Sequence, residues 1–105
     1  MTNATIKAFL DEFGDRVCGI YYDNNSMTYI NYKDSPKRSD IKLETKGGTD
    51  FIVVHFKRRA YGHPDENGQD AMIEYDIWHP TECVQMIVVM DENSVKYGID
   101  PAWTK

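Results

Sequence analysis

Three histidines and seventeen carboxylates carry most of the reactive chemistry in this 105-residue chain. Glu74, Asp76 and Trp78 recur at every second position and His79 follows them. On a strand that spacing puts the two carboxylates and the indole on one face. His55 lies on a neighbouring hairpin. A pocket built from His55, Glu74, Asp76 and His79 would suit a small-ligand site or an enzyme, since two histidines and a carboxylate can hold zinc or non-haem iron. No HExxH or similar motif fixes any pair of them, and His63 and His79 each precede a proline. The chain has no GxSxG and no glycine-rich phosphate loop. Cys18 and Cys83 lie far apart in apolar runs, as buried thiols do, without CxxC spacing. The expectation is therefore no catalytic residue, no metal and no cofactor.

The acidic residues carry a stronger signal through their distribution. Twelve Lys and Arg against seventeen Asp and Glu give a net charge of −5, which disfavours direct binding to nucleic acid or an anionic membrane. Residues 60–95 contain no Lys or Arg but hold eight acids, where the average frequency would put about four bases. Asp65, Glu66, Asp70, Glu74 and Asp76 lead that stretch, and Trp78 and Met72 add apolar anchors. Same-face side chains on a strand repeat every ~6.8 Å. That is about half the charge density of a nucleic-acid strand. An anionic surface with hydrophobic anchors suits a basic groove on a partner. Lys57, Arg58 and Arg59 alternate along a strand, so they are not expected to act as one patch.

These residues need elements to position them. Ile6, Phe9, Leu10 and Phe13 fall at i, i+3, i+4 and i+7, the stripe of an amphipathic helix. Thr2 or Asn3 can cap its start, and Gly14 is expected to end it in a left-handed conformation. From residue 17 the period changes to two. Strands 17–22 and 27–33 flank Asn24-Asn25, and a two-residue loop there would put Tyr22 opposite Met27 and Ile20 opposite Tyr29. Strands 40–46 and 50–59 flank Gly47-Gly48, with Leu43 beside Ile52 and Ile41 beside Val54. A loop around Asn67-Gly68 leads into strand 70–79, where Ala71, Ile73, Tyr75 and Ile77 are expected to face inward. Residues 83–90 carry no charge and read as a strand covered on both faces. A further edge strand is expected near residues 95–97.

The chain is thus expected to be one α+β domain over residues 1–105, with one N-terminal helix packed on a predominantly antiparallel sheet of five to seven strands. Two Leu against nine Ile and seven Val favour strands. The expected core centres on Ile52, Val54, Ile73, Ile77, Ile87 and Val89, with Phe9 and Phe13 from the helix. No run is long enough to span a membrane as a helix, and the start lacks the pattern of a signal peptide. With two isolated cysteines, a reducing cytoplasmic setting is expected.

The functional expectation is a small acidic, non-enzymatic binding protein that engages a basic surface of a partner protein through Asp65, Glu66, Asp70, Glu74, Asp76 and Trp78. In size, acidity and scarcity of motifs the chain is similar in kind to small inhibitors carried by phages and mobile elements. Some of those block nucleic-acid enzymes by mimicking DNA charge. Besides the pocket reading above, an oligomeric assembly subunit that completes its sheet by edge pairing is the other alternative.

Overall fold

The computed structural model describes residues 1–92, so the strand expected at residues 95–97 lies outside the described residues. Helix α1 (Asn3–Phe13) starts where Thr2 Oγ1 accepts the Thr5 N–H at 3.1 Å. It buries Ile6 and Leu10 and leaves its charged side in solvent. Gly14 does not adopt the expected left-handed conformation. It stays right-handed (φ −45°, ψ −47°) and leads into a single 3-10 turn, Gly14–Arg16. The reason for glycine there is space: a Cβ would lie 2.8 Å from Arg38 Cγ. The Arg38 guanidinium takes over as the helix C-cap, with Nε donating to the Leu10 carbonyl at 3.1 Å and Nη1 to the Ile41 carbonyl at 3.1 Å.

Six strands follow: β1 (Val17–Tyr22), β2 (Met27–Tyr29), β3 (Ile41–Lys46), β4 (Thr49–Pro64), β5 (Asp70–Pro80) and β6 (Val84–Val89). They form two three-stranded antiparallel sheets, ordered β2-β1-β6 and β3-β4-β5, rather than the single sheet expected. The α+β class holds, with the helix and both sheets sharing one core. Ile6, Leu10, Val17, Ile20, Tyr22, Ile30, Ile41, Ile52, Val54 and Val84 build it.

The Gly47-Gly48 hairpin has the expected register, Ile41 opposite Val54 and Leu43 opposite Ile52. Both glycines have positive φ, 60° and 80°, as a two-residue type I′ turn requires. The first hairpin is shifted by one residue, with Ile20 opposite Thr28 and Tyr21 opposite Met27. Its loop has three residues, because Asn25 alone takes the left-handed conformation (φ 66°) and its N–H closes a turn on the Tyr22 carbonyl. The slip puts Thr28 beneath Tyr22, where the two hydroxyls meet at 2.9 Å in the interior.

The expected core is corrected at its C-terminal side. β5 and β6 are each the outermost strand of their sheet among the described residues. Ile77 is 37% exposed, Ile73, Ile87 and Val89 are half-buried, and Val84 is the buried residue of β6. An uncharged run here marks a sheet edge rather than a strand covered on both faces. Phe13 packs against the core from the helix, while Phe9 remains half-buried. Neither cysteine forms a disulfide. Cys18 is buried, but Cys83 is only half-buried, in the short turn that precedes β6. No helix among the described residues is long and apolar enough to cross a membrane.

Candidate protein-binding arm

β4 has sixteen residues and β5 eleven, well beyond the usual ~5–6. Only the first part of β4 belongs to the core. β3 accompanies β4 as far as the pair Ile41 and Val54, and β4 has no buried residue beyond Val54. The outer halves of β4 and β5 therefore continue as a two-stranded arm, paired from His55–Asp76 through Ala60–Ala71.

One face of the arm carries Val53 with Trp78, His55 with Asp76, Lys57 with Glu74, and Arg59 with Met72. His55 sits between the two carboxylates. Its Nδ1 is 2.7 Å from Asp76 Oδ1 and its Nε2 is 2.9 Å from Glu74 Oε1. Hydrogen bonds to Glu74 and Asp76 hold the imidazole above its ordinary pKa. The bond to His55, helped by the nearby Lys57 charge, holds Glu74 below the usual carboxylate value. When the imidazole is protonated, both ring nitrogens donate to these carboxylates. Trp78 is 38% exposed, meets Phe51 edge-on at 5.5 Å, and has Lys46 Nζ 5.3 Å above its ring.

The opposite face stacks Phe56 on Tyr75 at 5.4 Å and pairs Ile52 with His79. His79 thus points away from His55, Glu74 and Asp76, and the four do not share a pocket. Its ring lies flat on Tyr22 at 3.7 Å, and desolvation pushes its pKa down. Among the described residues no group of three or more His, Cys, Asp or Glu is arranged to hold a metal ion.

At the far end the chain turns through residues 65–69. Asp65 Oδ1 accepts the N–H groups of Asn67 (2.8 Å) and Gln69 (3.1 Å), and Gly68 has φ 77°. Tyr61, Gly62 and His63 bulge out of the ladder between Ala60 and Pro64, and Pro64 pairs with Asp70. Tyr61 is 78% exposed and Met72 56%. The six residues singled out from the sequence thus lie along one arm in two groups. Asp65, Glu66 and Asp70 sit at its end, while Glu74 and Asp76, tied to His55, sit near its root with Trp78.

Sequence reasoning missed two features. The first is the counter-group of Glu74 and Asp76, which is His55, with Lys57 Nζ 4.0 Å from Glu74 and Lys42 on Glu44. The register that sets His55 between Glu74 and Asp76 belongs to the β4–β5 pair and depends on the bulge between Ala60 and Pro64, which no local sequence signal marks. Second, Lys57, Arg58 and Arg59 do converge, lining one cleft of about 530 Å³ with Asp34, Tyr61 and Met72. No family model matches the chain, and neither a curated protein nor a solved structure shows significant similarity to it.

Proposed function

We propose that this chain is a non-enzymatic binding protein that engages a basic surface of a partner protein through the end of its β4–β5 arm. The observation that carries the reading is the charge of that end. Residues 60–73 hold Asp65, Glu66 and Asp70 and no Lys or Arg, and Tyr61 and Met72 are the exposed apolar side chains beside them. Asp65, Glu66 and Asp70 form no ion pair among the described residues; such acids steer a basic partner, and an exposed aromatic and a methionine supply contact area. Glu74 and Asp76 contribute less, since His55 offsets them at short range. The separation of His79 from His55, Glu74 and Asp76 speaks against the shared pocket of the enzyme alternative. A finer form of the reading, inhibition of a nucleic-acid enzyme by occupying its basic groove, rests on the same acidity. In this reading the chain works in the reducing cytoplasm, with Cys18 and Cys83 as thiols.

The test is capture of proteins from a cell lysate on the immobilised chain at low and high salt, compared with Glu66→Lys/Asp70→Lys. The reading expects a basic protein retained at low salt, released at high salt, and lost by the variant. Retention that survives both charge reversal and high salt would overturn it.

A further inference from the structure

We infer that the cleft at Lys57, Arg58 and Arg59 receives the acidic arm end of a second copy of this chain, so that two arms lie antiparallel and each fills the other's cleft. The inference rests on the arm reading above and names the basic surface as the chain's own.

The two arginines are the first ground. Setting aside Lys96 and Lys105, ten of the twelve Lys and Arg fall among the described residues. Eight of those have a partner. Lys7 and Arg38 meet Asp11, Lys42 meets Glu44, Lys57 approaches Glu74, and Arg16 donates to the Met90 carbonyl. Lys33, Lys37 and Lys46 contact a ring or a backbone carbonyl. The side chains of Arg58 and Arg59 have no hydrogen bond or ion pair among the described residues. Two guanidinium groups beside one cleft offer planar, forked donors matched to carboxylates.

The second ground is complementarity on a single arm. The cleft presents Lys57, Arg58, Arg59 and the exposed Tyr61 and Met72, with Asp34 its one acid. Glu66 and Asp70 lie at the end of the same arm, and Glu66 is exposed. Arg58 and Glu66 are eight positions apart, at most about 26 Å at ~3.3 Å per residue. A two-fold axis across the arms makes both contacts at once, because the offset from cleft to end in one copy equals the offset from end to cleft in the other. The contact is made by side chains. The bulge at Tyr61, Gly62 and His63, followed by Pro64, interrupts the β4 edge at the arm end, so no strand ladder runs through that end.

The experiment is light scattering on the full chain over a concentration series at low and high salt. Wild type should rise from 12.2 kDa toward twice that mass at low salt, and fall back at high salt. Arg58→Glu/Arg59→Glu and Glu66→Arg/Asp70→Arg should each remain at the monomer mass. An equimolar mixture of the two variants should regain the dimer mass, because each then offers the other an opposite charge at both contacts. Recovery in the mixture also shows that both variants are folded. A wild-type chain that stays monomeric at every concentration in low salt overturns the inference. So does a dimer that both variants preserve. The two readings fail separately: a monomeric chain that still captures a basic protein through Glu66 and Asp70 overturns this inference alone.

Discussion

His55 is the residue whose behaviour in solution is most sharply defined. Its raised pKa means that it contributes stability fully below its unfolded value of about 6.5. That contribution is lost as pH rises through the raised folded value. Glu74 acts in the opposite sense: its contribution is present above its unfolded value and is lost as pH falls through the lowered folded one. The pair therefore acts in the window between the two. A His55→Gln variant is expected to lose most stability relative to wild type inside that window and to converge with it in alkaline solution. Unfolding curves over a pH series check this, and an NMR titration of His55 should give a midpoint above 6.5. All three side chains are more than a third exposed, so solvent and salt weaken the effect. Asn31 is the second such residue. It holds φ 61°, its Nδ2 donates to the Gly14 and Val17 carbonyls, and its Oδ1 accepts the Arg38 N–H. Asn31→Ala is expected to destabilise the chain by about 1–3 kcal/mol in urea unfolding, since it orphans half-buried backbone groups. Nothing local in the sequence marks Asn31 as this hub. Its partners come from before β1, from the start of β1 and from after β2, so only the folded chain assembles them.

At the scale of elements, local rules succeeded where the turn or period was self-sufficient. The helix stripe and the Gly47-Gly48 hairpin needed no knowledge of the rest of the fold. The Asn24-Asn25 hairpin was read one residue off, because two- and three-residue loops both use a left-handed Asn and tertiary packing chose between them. Alternation alone did not distinguish a covered strand from an edge strand, which is why Ile73, Ile77 and Ile87 were placed too deep. The corrected core has a direct consequence. Ile52→Ala, at a fully buried site, is expected to cost about 2–5 kcal/mol. Ile77→Ala, one strand further out and 37% exposed, should cost clearly less. Equal losses in denaturant unfolding would contradict the placement of β5 at the edge. The arm should also open independently of the body. Amide exchange is expected to be faster for residues 57–64 and 70–74 than for Ile52, Val53 and Val54, because a two-stranded ribbon without a covering layer is only marginally stable.

For the whole molecule, the acid-rich stretch legible in the sequence became a spatial feature. Its first three acids gather at the arm end, and the next two lie against His55. The bases at Lys57, Arg58 and Arg59, expected to be split across two faces, line one cleft. Charge counting found the stretch, but the length of β4 decided what it became. The sheet β2-β1-β6 carries a different consequence. β6 closes on β1 from the far side of the whole β3-β4-β5 meander, 62 positions after Tyr22. The meander is built of neighbours and can form as soon as its residues exist, whereas β1 must wait for a distant partner. On the ribosome, β1 and β2 would therefore emerge early and remain an open two-stranded ribbon until residues 84–89 leave the exit tunnel. A nascent chain stalled before Val84 should hold a preformed meander yet still be digested by protease at its N-terminal third.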